Sequence, residues 1–176
     1  MIKSLAMSAG LSIALAGAAQ ASSITKDDVL EAQQEWADGI VEISTVYIKK
    51  GDYREAAGEH IDDLYAYGES EVLFKPTLAA DDQFRETFEE ALSYFVGGKI
   101  AEDNGFAIKP WSAVRFGEQQ IVVNGDTAVA MGNYYFTPAE GGEEVKVEYT
   151  FGYVMDENGE LKINVHHSSL PFTPAS

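Results

Sequence analysis

The sequence has 176 residues, with 12 Lys and Arg against 29 Asp and Glu, a formal net charge of −17 at pH 7, and no cysteine. The absence of cysteine excludes disulfides, thiolate metal sites and cysteine nucleophiles. The negative charge disfavours contact with a phosphate backbone, so nucleic acid is not an expected partner.

The first 21 residues have the features of a secretory signal peptide. Lys3 supplies a positive charge, an apolar run covers residues 5–18, and Ala19-Gln20-Ala21 is a small-x-small cleavage site. The alternative is an uncleaved membrane anchor, but the run has about 14 residues where a spanning helix needs roughly 20. We therefore expect one domain over residues 22–176, no membrane association after cleavage, and a periplasmic or secreted location.

Three helices are predicted in the first part of this domain. Thr25 and Asp28 have the spacing of a capping box, and apolar residues then recur every three or four positions to about Lys50. A shorter helix is predicted over residues 53–60 and a third over residues 81–95. Each helix presents one apolar face to a core.

The strands are predicted from alternating polarity between turn signals. Short connections imply antiparallel neighbours for the later strands. The predicted strands cover residues 62–67, 71–75, 111–116, 120–123, 127–136, 145–155 and 161–169. Helices followed by a strand meander predict an α+β fold, in which the N-terminal helices pack on a curved antiparallel sheet and the resulting cone-shaped domain encloses a pocket.

The last predicted strand carries the most informative polar residues. Its apolar residues are Leu161, Ile163 and Val165. Because side chains of a regular strand alternate between faces, His167 and Ser169 are expected on that apolar face, and His166 and Ser168 on the other. This predicts an inward imidazole and hydroxyl at a pocket. The alternative is a satisfied hydrogen-bonding pair at the end of a strand.

The same alternation argues against a metal site. His166 and His167 point apart on a regular strand, and His60 is the only other histidine. A zinc site would need His167 together with carboxylates from elsewhere in the fold. We expect no metal cofactor, with zinc or manganese as the alternative.

Two hydroxyl residues stand near the ends of predicted elements. Thr77 follows Pro76, which ends a strand, and its hydroxyl can line a pocket or make a local turn hydrogen bond. Tyr94 lies at the end of the third predicted helix, where it can face the pocket or pack as a core aromatic.

Four short stretches carry a resemblance to a known family. They are Leu64-Tyr65-Ala66-Tyr67, Phe74-Lys75-Pro76-Thr77, Phe84-Arg85 through Tyr94-Phe95, and His166-His167-Ser168-Ser169. Together they resemble iota-class carbonic anhydrases over residues 25–172. That family shares its domain with the association domain of calcium/calmodulin-dependent protein kinase II, in the superfamily of nuclear transport factor 2-like and SnoaL-like cone folds.

The resemblance implies reversible hydration of carbon dioxide to bicarbonate in a dimer or larger homo-oligomer. It implies Thr77, Tyr94, His167 and Ser169 as catalytic residues, with Thr77, Tyr94 and Ser169 binding substrate. His167 would accept the proton of the attacking water, and the hydroxyls would hold the bicarbonate oxygens. The family often has a third histidine where this chain has Val165, so the resemblance favours a metal-independent enzyme.

Two other functions fit a cone fold. One is a non-catalytic module that binds a small ligand or builds oligomers. The other is an isomerase or dehydratase that uses His167 as a base on an organic substrate. An inward His-Ser pair with the Thr-Tyr set favours the anhydrase, because an assembly domain does not need polar groups in its pocket.

The late strands also predict a homodimer or larger assembly. Their apolar and aromatic residues exceed what one small core readily absorbs. These residues are Tyr134, Phe136, Val145, Val147, Tyr149, Phe151 and Tyr153.

Overall fold

The computed structural model describes residues 23–174, so the predicted signal peptide and its cleavage site lie outside the described residues. Three α-helices and five β-strands account for most of that range. The helices are α1 (Lys26–Ile48), α2 (Tyr53–Leu64) and α3 (Phe88–Val96), and a 3-10 turn covers Phe106–Ile108. The strands are β1 (Leu73–Lys75), β2 (Trp111–Asn124), β3 (Thr127–Pro138), β4 (Val145–Met155) and β5 (Leu161–Ser169).

The five strands form one sheet in the order β1-β5-β4-β3-β2. Strands β2 to β5 are an antiparallel meander, as predicted, and β1 pairs in parallel with β5 at the edge. The helices pack on one face of the sheet, and the core lies between the two layers. The predicted α+β fold is therefore confirmed. No helix within residues 23–174 is long and apolar enough to cross a membrane.

Helix α1 begins at the predicted capping box. The Thr25 hydroxyl accepts a hydrogen bond from the Asp28 backbone N–H at 3.2 Å, and the Asp28 carboxylate accepts one from the Thr25 N–H at 2.7 Å. The buried stripe behind it includes Trp36, whose side chain lies at the centre of the core. This helix therefore supplies the main surface against which the sheet packs.

The predicted strand at residues 62–67 is wrong. Helix α2 continues through Leu64 because Ile61 and Leu64 extend its apolar face into the core. Tyr65 then takes an extended backbone conformation and makes a single bridge to Ile163 of β5. The chain leaves the helix with the Tyr65 side chain pointing into the core.

The third helix is shorter than predicted and begins at Phe88. Thr87 and Glu90 form a capping box there. Before it, Arg85 is fully buried and pairs with Asp103 at 2.6 Å. Residues 81–87 thus use their polar groups to anchor a loop, and a helix through them would break those contacts. The predicted strands 111–116 and 120–123 form one strand, with an irregularity between Phe116 and Gln119.

The aromatic residues of the late strands lie in the core of a single chain. Buried residues are Tyr134, Phe136, Val147, Tyr149, Phe151 and Tyr153, and Val145 is exposed. The helices are long enough to cover this inner face. These residues therefore do not supply the surplus apolar surface from which we predicted an oligomer.

Candidate active site

A β-bulge in β5 decides which polar side chains face the core. Gly152 of β4 pairs with Val165, whereas the next residue, Tyr153, pairs with Ile163. Asn164 is therefore an extra residue without an opposite partner. An extra residue reverses the alternation of every side chain beyond it.

The predicted inward placement of His167 and Ser169 is consequently wrong. His166 and Ser168 are buried on the inner face, at 2% exposure each, while His167 is exposed. The Ser169 hydroxyl donates to the Glu148 carboxylate at 3.0 Å on the outer face. Val165 also lies on the outer face, opposite Gly152, and does not take an inward ligand position. The predicted pocket residues are thus displaced by one position along β5.

His166 is held by hydrogen bonds at both ring nitrogens. The Tyr65 hydroxyl lies 2.8 Å from Nδ1, and the Ser168 hydroxyl lies 2.9 Å from Nε2. Tyr65 in turn accepts a hydrogen bond from the Trp36 indole N–H at 2.9 Å. Ser168 also bonds the Tyr134 hydroxyl. One connected network therefore runs from α1 through β5 to β3.

Burial controls the charge of these groups. Removal from water lowers the pKa of His166 well below its ordinary value, and the neighbouring His167 and His60 act in the same direction. The ring stacks on Phe74 with centroids 4.5 Å apart and meets the edge of Phe151 at 4.3 Å. His166 is therefore neutral at physiological pH. Burial also raises the pKa of the Tyr134 phenol well above its ordinary range, so it too is neutral.

A small cavity lies against this network. Its lining combines hydroxyls and one imidazole with apolar walls: Trp36, Phe74, Pro76, Thr77, Tyr94, Phe95, Phe106, Tyr134, His166 and Ser168. About 10 Å³ is open to the centre of a water-sized sphere, which is room for one water molecule. A second cavity of about 40 Å³ shares Tyr94 and Phe106 as lining residues.

Thr77 and Tyr94 both line the small cavity, so the prediction that they face one pocket holds. Tyr94 is buried in α3, and desolvation raises the pKa of its phenol, opposed by hydrogen bonds with Leu78 and Thr77. The Tyr94 ring stacks on Phe106 at 5.5 Å. The two hydroxyls thus lie beside Ser168 and His166 on a single lining surface.

The loop that carries Thr77 is anchored by two acidic residues. The Glu102 carboxylate accepts hydrogen bonds from the consecutive backbone N–H groups of Ala80, Asp81 and Asp82 at 2.9 to 3.2 Å. The adjacent Asp103 holds the buried Arg85 at the other end of the loop. Both ends of the segment behind Thr77 are therefore fixed, which limits the positions its hydroxyl can take.

His60 does not join a metal site. It is buried beside Trp36 and Phe95, and desolvation lowers its pKa to about 4. His167 lies on the outer face of the sheet. Across residues 23–174, no group of three or more His, Cys, Asp or Glu is arranged to hold a metal ion. The alternative zinc site at His167 is not assembled.

The sequence reasoning missed three residues of the network: Trp36, Tyr65 and Tyr134. By its spacing Trp36 belongs to the apolar stripe of the first helix, Tyr134 is among the apolar residues of the late strands, and Tyr65 lies within the predicted strand 62–67 that does not form. The available signal was chemical, because a buried indole or phenol needs a hydrogen-bond partner. A glycine inside a predicted strand, Gly152, was the available signal for a bulge.

Comparison with known proteins identifies the family. A family model for metal-independent carbonic anhydrase matches residues 27–170. A metal-independent carbonic anhydrase from Nostoc sp. (strain PCC 7120 / SAG 25.82 / UTEX 2576) is 43% identical over 155 residues, covering 85% of this chain and 75% of the relative.

Solved structures agree with that match. The iota-carbonic anhydrase from a cyanobacterium, complexed with bicarbonate, superposes with a TM-score of 0.83 at 40% identity, over 86% of this chain and 95% of that chain. A nuclear transport factor 2-like superfamily protein from Salmonella enterica subsp. enterica serovar Typhimurium str. LT2 superposes at 0.57 with 15% identity, over 85% and 93% of the two chains. The second match shows the fold alone. This chain belongs to the metal-independent carbonic anhydrase family.

Proposed function

We propose that the small cavity is where this chain hydrates carbon dioxide to bicarbonate, with Thr77, Tyr94, Ser168 and His166 as the residues that act on the reaction. Carbonic anhydrase activity without a metal follows from the family. The observation that carries the location is the joining of four polar side chains on one aromatic-walled surface. The cyanobacterial relative was solved with bicarbonate, which supports an anion as the ligand.

The cavity chemistry fits the reaction. As the oxygen of water bonds to the carbon of carbon dioxide, one C=O π bond opens and negative charge develops on its oxygen. The water loses one proton to the solvent, so carbon dioxide and water give bicarbonate and H⁺. Hydroxyl groups fixed around that oxygen stabilise the charge because they are already oriented and need no reorganisation. Phe74, Phe95 and Phe106 provide walls suited to a non-polar substrate. Room for a single water fits one nucleophile.

Stopped-flow carbon dioxide hydration tests this assignment. Thr77→Val, Tyr94→Phe and Ser168→Ala each remove one hydroxyl, and we expect each to lower the rate roughly 10- to 1000-fold. Ser169→Ala, which removes a hydroxyl from the outer face, is the matched control and is expected to retain the rate. Exhaustive chelation should leave the wild-type rate unchanged.

Three results would contradict this proposal. Full activity in all three inner variants would mean that the cavity does not serve the reaction. A wild-type protein that binds bicarbonate but does not hydrate carbon dioxide would favour a non-catalytic module. Activity that disappears with EDTA and returns with stoichiometric zinc or manganese would contradict metal-independent chemistry in this chain.

We propose that the enzyme works outside the cytoplasm. Lys3, the apolar run at residues 5–18 and the Ala19-Gln20-Ala21 site support cleavage before Ser22. Mass spectrometry of a periplasmic extract is expected to find a chain beginning at Ser22. Recovery of the uncleaved chain in the membrane fraction would contradict export by this route.

We propose a homodimer formed through the outer face of the sheet. One cross-strand row there is apolar on all strands except for a glycine, in the order Val122, Val129, Gly152, Val165 and Leu73. Val122 and Leu73 are 67% and 66% exposed. A second copy of this row is a matching partner, because two-fold symmetry brings the same patch of each subunit together, and Gly152 permits close approach.

Light scattering tests the dimer. Val129→Lys places a charge in the row and is expected to give a monomer, whereas Leu30→Lys, an exposed apolar position on α1, is the control. A monomeric wild type at micromolar concentration would overturn the proposal.

A further inference from the structure

The hydrogen-bond network behind the cavity begins at a group that can only donate. The Trp36 indole N–H has no lone pair to offer, and it lies 2.9 Å from the Tyr65 oxygen. Tyr65 therefore accepts from Trp36 in every arrangement of protons. Its own hydroxyl hydrogen must find an acceptor elsewhere.

His166 supplies that acceptor. Its Nδ1 lies 2.8 Å from the Tyr65 oxygen, and among the described residues this is the hydroxyl's other hydrogen-bond contact. If Nδ1 carried a proton and donated to Tyr65, the phenol hydrogen would be left without a partner in a side chain that is 1% exposed. A buried donor without a partner costs free energy that the opposite arrangement avoids. Tyr65 therefore donates to Nδ1, and Nδ1 is the unprotonated nitrogen.

The position of the remaining proton follows from neutrality. Burial keeps the pKa of His166 low, so the ring carries one proton. With Nδ1 occupied as an acceptor, that proton is on Nε2, where the Ser168 hydroxyl lies at 2.9 Å and the Tyr134 hydroxyl at 3.4 Å. Nε2 thus donates toward Ser168.

We infer that Trp36 and Tyr65 are positioning residues that fix His166 as the Nε2–H tautomer, so that His166 and Ser168 serve the reaction as hydrogen-bond donors and not as a base. Once Ser168 accepts from Nε2, its own hydrogen is directed either to Tyr134 or into the cavity. In both cases each hydrogen bond of the network is donated in the direction that leads from Trp36 toward the cavity. A cavity that presents O–H groups suits an oxyanion.

This inference rests on the proposed function only for its effect on rate. It replaces the idea that a histidine on β5 takes the proton of the attacking water. A ring whose two nitrogens are already committed, one as acceptor from Tyr65 and one as donor to Ser168, has no free lone pair for that proton. The tautomer itself can be measured without any turnover.

Two-bond ¹H–¹⁵N correlation spectra of protein labelled with ¹⁵N-histidine distinguish the two neutral tautomers and the imidazolium. The three histidines are assigned with the variants His60→Gln and His167→Ala. We expect wild-type His166 to show the Nε2–H tautomer near neutral pH. Tyr65→Phe removes the donor to Nδ1 and is expected to give a mixture of tautomers, with hydration lowered about tenfold.

Two further variants sharpen the test. Trp36→Phe is expected to weaken the preference of His166 for the Nε2–H tautomer, because a water in the vacated space gives the Tyr65 hydroxyl another acceptor. Tyr67→Phe is the matched control, since the Tyr67 ring stacks on Tyr65 at 6.0 Å but its hydroxyl donates to the Arg85 carbonyl at 2.7 Å. It should leave the tautomer unchanged.

Wild-type His166 found as the Nδ1–H tautomer or as imidazolium near neutral pH would overturn the inference. So would an unchanged Nε2–H tautomer in Tyr65→Phe. Absence of hydration by a wild type that shows the Nε2–H tautomer would sink the proposed function and leave the tautomer assignment standing.

Discussion

At the residue scale, the site depends on which of two adjacent histidines faces inward. His166 contacts Tyr65, Ser168 and the Phe74 ring, whereas His167 is exposed. His166→Ala is expected to lower hydration roughly 10- to 1000-fold, and His167→Ala to remain within about twofold of wild type. Stopped-flow rates of the two variants check this directly.

A second substitution separates chemistry from packing at His166. Alanine also leaves a hole against Phe74, so its effect mixes lost hydrogen bonds with lost contacts. Gln can place an amide N–H near the position of Nε2, and His166→Gln is expected to recover part of the rate lost in His166→Ala. Equal loss in both variants, with an unfolding midpoint as low in one as in the other, would point to packing alone.

Of the four predicted site residues, Thr77 and Tyr94 line the small cavity, whereas the inward placement of His167 and Ser169 is wrong for one physical reason. The family resemblance implies Thr77 and Tyr94, and their positions near the ends of elements leave both a pocket and a packing role open. The inward placement of His167 and Ser169 assumes that side chains alternate between faces along the whole of β5. A bulge interrupts this alternation and reverses the face of every residue after it. Asn164 is the bulged residue. A bulge is defined by the pairing between two strands, and the sequence of one strand does not show that pairing.

At the element scale, the bulge in β5 depends on a missing side chain in β4. A Cβ at Gly152 would lie 2.9 Å from the Val165 Cβ and 3.1 Å from the Asn164 Oδ1. Gly152→Ala is therefore expected to destabilise the fold by about 1 to 3 kcal/mol, as overpacking commonly does. Strain at the bulge would disturb the strand register that turns His166 and Ser168 inward. The rate of carbon dioxide hydration should therefore fall as well.

Urea unfolding and stopped-flow rates measure the two effects of Gly152→Ala. The matched control is Gly125→Ala, a turn glycine with open space around it but a positive φ of 67°. It should lose stability through backbone strain while keeping the hydration rate. Unchanged stability and rate in Gly152→Ala would show that the bulge does not need the glycine.

The elements themselves were predicted best where local signals were strongest. The capping box predicts the start of α1, and the turn signals predict the bounds of β3, β4 and β5 closely. The strand predicted over residues 71–75 forms as β1, but residues 62–67 and 81–87 were predicted wrongly, because their conformation depends on contacts distant in sequence. Tyr65 turns inward to meet His166, and Arg85 is buried to meet Asp103. Neither contact has a local pattern that would reveal it.

At the scale of the whole molecule, two neutral histidines buried in one core make stability depend on pH. Burial lowers the pKa of His60 to about 4 and that of His166 well below its ordinary value. An unfolded chain would bind protons at these histidines near pH 6.5, where the folded chain does not. The unfolded state therefore binds more protons as pH falls, and the free energy of unfolding decreases below about pH 6.5.

The expected size of this effect is measurable. His60 alone should cost about 2 kcal/mol between pH 7 and pH 5, and His166 adds to the loss in the same direction. The net charge of −17 opposes it only at lower pH, where carboxylates begin to protonate and their mutual repulsion weakens. The window between pH 6.5 and pH 5 is therefore governed by the histidines.

Urea unfolding at a series of pH values tests this, with the slope of stability against pH as the readout. His60→Gln is expected to flatten the slope whatever it does to stability at pH 7, because an amide does not titrate. A wild-type stability that is level from pH 7 to pH 5, or a His60→Gln slope equal to wild type, would mean that His60 is protonated or solvated within the folded core.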